Sequence, residues 1–588
     1  MSRKGTVIEV LEATASAYPE RAALRYKRSG GWNTLSWADY RDRVLQAGRA
    51  FIHLGVGRGS CVVILGGNHP EWFIANFGTI AAGGLPSGIY TTSTAEQCCY
   101  IAQHCKAVVA VIEHTGHLDQ LAAVSEQFAA VVAMEGGGDG DVLSWERFLA
   151  LGDEVGEERL DERIEGLQKN DPCTLIYTSG TTGEPKGVML SHTNFLWLAR
   201  ALVDVSAVNE EDHGISYLPL SHIAEQVLSL YLPLVAGGCM SLAPDLETLG
   251  DDLREVRPTF FLAVPRVWEK IQARMEAAGA KSSPLRRRLV RWARGVGLAG
   301  GRAAQRGEPL PLGWWLANRL IFSKVRRRLG FDRTRVLLTG AAPIARSTLE
   351  FFLSLGLPIC EVYGMSESTG PTTLSSEERC RTGSAGWAIP GTELEVADDG
   401  EILFRGPHIF VGYYGNPEAM RETLDDEGWL HSGDIGMLDE DGFLYVTDRK
   451  KELIITSGGK NVAPVPIESQ LKAIPGVTEA VVMGDGRKYL SALILLDPEG
   501  IDALAKEIGS EAADPASAAR CELFHAYIED RIDAVNATLA PYESIKRFAV
   551  LSEGLSVENG TLTPTLKLKR RVIHEVFGAT IDDLYEAE

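Results

Sequence analysis

Short runs of β-branched and aliphatic residues punctuate the chain: Val62-Val-Ile-Leu65, Val108-Val-Ala-Val-Ile112, Phe260-Phe-Leu-Ala-Val264 and Val336-Leu-Leu338. Apolar runs of this length without polar alternation predict strands buried on both faces, as in a parallel sheet. The positions between them follow helical spacing. One such stretch begins at Ser36, where Ser36 and Asp39 predict an N-terminal cap ahead of Tyr40, Val44 and Leu45 on one face. Strand and helix patterns in alternation predict a large, doubly wound α/β domain of mostly parallel strands. After about residue 390 the pattern changes to short Gly-flanked strands, Glu401-Ile-Leu-Phe-Arg-Gly406 and Gly442-Phe-Leu-Tyr-Val446, which predict a small β subdomain over about 390–448. Past the charged step Arg449-Lys450-Lys451-Glu452, an Asp485-Gly486 turn between Ala480-Val-Val-Met483 and Leu493-Ile-Leu-Leu496 predicts a hairpin in a small α+β domain.

At 588 residues the chain exceeds one typical core, in keeping with more than one domain. Its net charge of −21 excludes a duplex nucleic-acid binder, which needs a basic face to displace counterions. The nine cysteines include no C-x-x-C pair, so neither a disulfide framework nor a structural zinc site is expected, and Cys98, Cys99, His104 and Cys105 read as ordinary packing. A reducing, cytoplasmic setting follows. The first residues lead into a segment carrying Glu9, Glu12 and Glu20, unlike the apolar core of a signal peptide. The apolar stretch 227–243 is broken by Pro233 and Gly237-Gly238, which predicts a buried helix, turn and strand rather than a membrane span.

Residues 281–328 depart from the acidic balance, with 13 Lys or Arg residues against one acid, Glu308, and with Trp314 and Trp315 between the basic clusters. Two readings stay open for this segment: peripheral contact with an anionic membrane, or a solvated helical hairpin.

The most informative string is Leu175-Ile-Tyr-Thr-Ser-Gly-Thr-Thr-Gly-Glu-Pro-Lys-Gly-Val-Met-Leu190, a strand entering a loop of hydroxyls and glycines that closes on a lysine. Gly180 and Gly183 let the backbone curl so that its N–H groups converge on an anion. Thr178, Ser179, Thr181 and Thr182 add hydroxyl donors, and Lys186 adds charge. The string is not a Walker A loop, because Lys186 is followed by Gly187 rather than Ser or Thr.

That string resembles the phosphate-loop signature of the adenylate-forming superfamily, which contains acyl-CoA synthetases, nonribosomal peptide adenylation domains and firefly luciferase. The resemblance continues in order through Tyr217-Leu-Pro-Leu-Ser-His-Ile223, Thr339-Gly-Ala-Ala-Pro343, Tyr363-Gly-Met-Ser-Glu367 and Trp429-Leu-His-Ser-Gly-Asp434. It implies that His222 borders the acyl and adenylate site and that Gly340 and Ala341 belong to the adenine-binding turn. It further implies that Tyr363, followed by Gly364, stacks on adenine, that Ser366 borders the α-phosphate, and that Glu367 joins Thr181 or Thr182 around magnesium. Asp434 takes the ribose-binding position with Arg449 as its partner. Lys451 falls at the family's hinge, so the implied division is 1–448, a hinge at 449–451 and a small mobile domain at 452–588. In the string Leu562-Thr-Pro-Thr-Leu-Lys-Leu-Lys-Arg-Arg571, Lys567 takes the catalytic lysine position; the usual preceding glycine is Leu566, and Lys569 lies nearby. The segments Val264-Pro-Arg-Val-Trp-Glu-Lys-Ile271 and Lys451-Glu-Leu-Ile-Ile-Thr-Ser-Gly-Gly-Lys-Asn-Val462 look most like the long-chain branch, in particular its bubblegum-type members.

The resemblance implies an ATP-dependent, AMP-forming ligase that activates a fatty acid as an acyl adenylate and passes it to coenzyme A. ATP, magnesium and coenzyme A are the implied small molecules, with Gly458 beside the pantetheine arm, and no protein partner is evident. Two other readings share the adenylation residues: an acyl-AMP ligase that loads a carrier protein, and an inactive lipid-binding relative.

Overall fold

The computed structural model describes residues 5–28, 30–138, 140–178, 184–376, 379–563 and 567–586. The chain forms two compact units: residues 1–341, 351–394 and 404–431 make up the first, and residues 342–350, 395–403 and 432–588 the second.

In the first unit the predicted runs 62–65 and 108–112 fall in Cys61–Leu65 and Ala107–Ile112, neighbouring parallel strands of an eight-stranded sheet. Its order runs Gly412–Tyr413, Lys186–Ser191, Pro172–Thr178, Leu85–Ile89, Cys61–Leu65, Ala107–Ile112, Ala130–Ala133 and Val142–Ser144. Only the Gly412–Tyr413 and Lys186–Ser191 end of this sheet is antiparallel to its neighbours. Phe260–Ala263, Val336–Thr339 and Ile359–Met365 are the parallel part of a second sheet, continued antiparallel by Gly370–Leu374 and Trp387–Ala388. The predicted cap at Ser36 is present: its hydroxyl accepts from the Asp39 N–H, the Asp39 carboxylate accepts from the Ser36 N–H, and the helix Trp37–His53 follows. Reciprocal capping of this kind satisfies two otherwise orphaned donors. Stretch 227–243 is a buried helical run ending at Ala236, a left-handed Gly237 and the strand Cys239–Leu242. Among the described residues no helix is long and apolar enough to cross a membrane.

Residues 393–449 contribute a four-stranded sheet ordered Glu393–Val396, Glu401–Arg405, Leu430–Leu438 and Leu444–Arg449. In the second unit Val477–Met483 and Leu490–Leu496 pair antiparallel across the predicted Asp485-Gly486 turn, and Ile545–Val550 joins parallel to Leu490–Leu496. Helices Pro464–Lys472 and Glu522–Asn536 cover one face of this sheet through Ile467, Leu471, Phe524 and Ile528.

Candidate functional site

The strand Pro172–Thr178 is buried along its centre and delivers the phosphate-loop string to its edge, where Thr178 pairs with Lys186 on the return strand. Ser179, Gly180, Thr181, Thr182 and Gly183 lie outside the described residues. Gly412–Tyr413 adds to the open side of the return strand, with Tyr413 opposite Val188. That pairing sets the Tyr413 ring under the Lys186 ammonium, 5.0 Å from ring centre to nitrogen. A cation over an aromatic face is held there by the ring quadrupole. The Tyr413 hydroxyl donates to the Glu367 carboxylate at 2.7 Å. Glu367 is buried in the short turn Ser366–Ser368, whose backbone is fixed by the Glu367 carbonyl accepting from the Phe410 N–H. Burial, aided by the Glu367 charge, pushes the Tyr413 phenol well above its usual range, so it stays protonated and donating at neutral pH. Nothing in the sequence pattern singled out Tyr413.

Tyr363 sits on Ile359–Met365 in tilted contact with Phe404, ring centres 5.7 Å apart. Gly364 next to it admits no side chain: a Cβ there would lie 1.8 Å from the Gly370 carbonyl oxygen. Gly340 is comparably confined by Val362, and Ala341 adopts a left-handed φ of 67°, strained for a residue with a side chain. Strain at a turn assigned to ligand contact is the usual place to find it. Two positions before Tyr363, the buried Glu361 carboxyl is pushed up to about 7 by burial, a feature the motif reading passed over.

His222 caps the short turn Ile223–Glu225, its Nδ1 accepting from the Ala224 N–H at 3.2 Å. The loop before it is anchored by Glu225, which accepts from Ser216 and Ser229, both at 2.6 Å, and whose carboxyl burial raises to about 7. Gly88 lets this loop approach, since a Cβ there would meet Ser221 at 2.8 Å. In the cysteine-rich segment, His104 pairs through Nδ1 with the Tyr177 hydroxyl at 2.7 Å, and burial raises the Cys98 thiol to about 12.

The second unit carries the remaining candidates. Asp434 is opposite Arg449 in the Leu430–Leu438 and Leu444–Arg449 pair, with carboxylate and guanidinium 3.4 Å apart. Lys451 is exposed in the turn Lys450–Glu452. Gly458 is exposed in the turn between Ile454–Ile455 and Asn461–Val462, and a Cβ there would meet nothing closer than 4.0 Å. Lys567 is exposed, its N–H donating to the Thr563 hydroxyl at 3.0 Å and its carbonyl accepting from the Thr563 N–H at 2.8 Å. Leu566 lies outside the described residues. Arg570 donates bidentately to buried Glu468 at 2.7 Å and also to Glu452, so it serves the core of this unit.

A buried carboxylate joined through a phenol to a cation, and a confined glycine turn, suit a nucleoside triphosphate. Residues 11–414 match the family described as AMP-binding enzyme, and residues 451–588 match the AMP-binding enzyme C-terminal domain. The chain belongs to the AMP-binding enzyme family. It is 41% identical over 619 residues to the long-chain-fatty-acid–CoA ligase ACSBG2 of Xenopus laevis, covering 99% of this chain and 84% of that one. The Gallus gallus protein of the same name is 43% identical over 618 residues, covering 99% and 81%. In fold the chain is similar to the anthranilate CoA ligase AuaEII in complex with anthranoyl-AMP, with TM-score 0.74, 21% identity and 98% of each chain covered. A fatty acyl CoA synthetase of Mycobacterium tuberculosis superposes with TM-score 0.63 at 20% identity, covering 99% and 100%.

Proposed function

We propose that this protein is a long-chain fatty acid–CoA ligase that forms acyl-CoA, AMP and diphosphate from a fatty acid, ATP and coenzyme A through an acyl adenylate. The observation that carries the reading is the Lys186–Tyr413–Glu367 cluster at the mouth of the phosphate-loop string, in a chain matched along its length by ligases of that name. The fatty acid carboxylate attacks the α-phosphorus, a new C–O–P linkage forms, and diphosphate leaves. Attacker and target are both anionic, so the protein's task is charge neutralisation and alignment. Lys186 and Lys567 supply cations, Tyr363 and the Gly340-Ala341 turn receive adenine, Asp434 takes the ribose hydroxyls, and His222 borders the acyl carbonyl.

Magnesium commonly binds through one or two carboxylates plus substrate phosphates. Among the described residues no cluster of three His, Cys, Asp or Glu forms an all-protein cage, whereas Glu367 supplies one oriented carboxylate. Glu367 with Thr181 or Thr182 would hold the ion, which when bound supplies charge to the phosphate oxygens. In the second step the coenzyme A thiolate attacks the acyl carbonyl and AMP leaves. Gly458 provides a bare surface for the pantetheine arm, and division into 1–448 and 452–588 about Lys451 lets different residues serve each step. A membrane-dissolved substrate gives the basic segment 281–328 a role as a peripheral contact.

The test is product analysis across a chain-length series of acids. AMP and diphosphate must appear only with magnesium and a medium-length or longer acid, and free coenzyme A must accept the acyl group. ADP as product, acetate as the best acid, or transfer only to a carrier protein sinks the reading.

A further inference from the structure

Segment 281–328 folds within the first unit as the helix Pro284–Gln305 followed by Trp314–Ala317, Asn318–Phe322 and Ser323–Leu329. Small residues fasten it down. A Cβ at Gly297 would lie 2.0 Å from the Ser354 carbonyl oxygen, and one at Gly300 would lie 2.3 Å from the Trp314 ring. Trp314 is therefore the inner tryptophan, packed with Ala293, Ala317 and Phe322. The arginines divide in the same way. Arg294 donates to the Ser354 hydroxyl and lies over Phe351, while Arg326 donates to the Gly356 carbonyl and to Asn318.

The rest of the segment faces outward. Leu285, Leu289 and Trp292 recur at i, i+4 and i+7 of the long helix, so they form one stripe, and all three are exposed. The stripe continues onto the connection, because a Cβ at Gly313 would touch Trp292 at 3.3 Å. Beside Gly313, Leu312 is 100% exposed and Trp315 is 67% exposed. Arg319 lies over the Trp315 ring at 5.4 Å. Arg288 flanks the stripe, Arg286, Arg287 and Arg291 lie further round the same helix, and all four are exposed with no carboxylate partner among the described residues. A contiguous apolar face of this kind marks an interaction site.

We propose that this face docks on an anionic bilayer, with Leu312 and Trp315 entering the interface and Arg286, Arg287, Arg288 and Arg291 lying at headgroup level. Charge selects the occupant. The segment holds 13 cations against one acid in a chain of net charge −21, so the cation excess is concentrated where the leucines and tryptophans are exposed. Basic residues interleaved with tryptophan and leucine suit the boundary between headgroups and acyl chains. A second copy of the same face would bring these cations together, which opposes self-association through it. The docking stands independently of the ligase reading; only its purpose, access to a membrane-dissolved acid, rests on that reading.

Sedimentation of the full chain with phosphatidylcholine vesicles, with and without phosphatidylserine, tests the proposal in the absence of substrate. Binding should require phosphatidylserine and weaken with salt. Each cation near such a surface contributes about fivefold in partition. Replacing Arg286, Arg287, Arg288 and Arg291 by Gln should therefore lower binding by at least about a hundredfold, allowing for some that stand clear of the surface. The pair Leu312→Ser and Trp315→Ser should lower binding while leaving its salt dependence, and a circular-dichroism melt verifies folding of each variant. Equal binding to neutral vesicles, no change in either variant, or concentration-dependent dimerisation removed by Leu312→Ser overturns it. Diphosphate release with a water-soluble medium-chain acid, measured without vesicles, should be unchanged in the arginine variant. Absence of that activity in the unaltered chain counts against the ligase reading alone.

Discussion

Glu367 and Asp434 are both carboxylates that the motifs assign to the nucleotide, yet their surroundings differ. Glu367, in the first unit, is buried, held by a phenol at 2.7 Å that itself lies beneath an ammonium. Asp434, in the second unit, faces a guanidinium at 3.4 Å that is 46% exposed. Of the other second-unit candidates, Lys451 and Gly458 are exposed on turns and Lys567 is exposed. The first unit thus preorganises charge in a low-dielectric setting, where fixed dipoles act without reorganising. The second buries Asp434 but presents Lys451, Gly458 and Lys567 at exposed positions, which shift at low cost.

If that contrast is right, altering the buried set damages adenylation outright, whereas altering the exposed set separates the two half-reactions. The largest effect is expected for Glu367→Gln, which keeps an acceptor for Tyr413 and removes the charge. Two unit charges about 4 Å apart at an effective dielectric near 20 interact by about 4 kcal/mol, so diphosphate release should fall about a thousandfold. A loss that added magnesium fully restores would show that Glu367 binds the ion only weakly.

Lys567→Ala comes next, with roughly a hundredfold loss in diphosphate release, because water and magnesium compensate in part. Supplied with preformed acyl-AMP, the same variant should still make acyl-CoA. Equal losses in the two assays would point to a structural lysine or to Lys569. Gly458→Leu should do the reverse, sparing acyl-AMP formation and slowing thioester formation by roughly tenfold or more, since a branched side chain would occupy space that is open in the structure. Tyr413→Phe tests the buried set more finely. Losing one hydrogen bond to a charged group costs about 1.5 kcal/mol, so adenylation should drop about tenfold with a raised magnesium requirement. Unchanged kinetics would mean that Glu367 is positioned without it.

The smallest effect is a difference in the sign of pH dependence. In the first unit, burial lowers His192 and His408 to about 4. Their unfolded forms bind protons more readily, so this stability is present above about pH 6.5 and is lost as pH falls toward 4. In the second unit, burial raises the Asp448 carboxyl to about 6. Its contribution is present below the unfolded value near 3.9 and is lost as pH rises through 6. Thermal melts at pH 5 and 7 should therefore show His408→Gln flattening the acid loss and Asp448→Asn stabilising more at pH 7 than at pH 5. Matching shifts at both pH values in either variant would contradict the assigned burial effects.

Much of this organisation was legible beforehand. The four apolar runs became parallel strands, Ser36 became a reciprocal cap, and Asp485-Gly486 became a hairpin turn. Each is a local signal: continuous hydrophobicity, a capping pair and a turn dipeptide act within a few residues. The partners of the site residues were less legible. Tyr413 lies in a two-residue strand, too short to show a period, and its importance comes from joining a sheet edge formed by a hairpin far upstream. Glu361 lies outside every motif, and only its burial in the fold marks it.

The sequence by itself determined the element types, the order of the nucleotide motifs and the family, because these depend on residue chemistry and near-neighbour spacing. Only the tertiary structure decided that Tyr413 bridges Lys186 and Glu367. It also decided that Trp314 packs inward while Trp315 faces out, and that Arg326 serves the fold while Arg286 remains exposed. Composition cannot separate such neighbours. Their fates depend on helix phase and on where Gly297 and Gly300 allow the backbone to approach the body of the unit, and those are set by packing between segments distant in the chain.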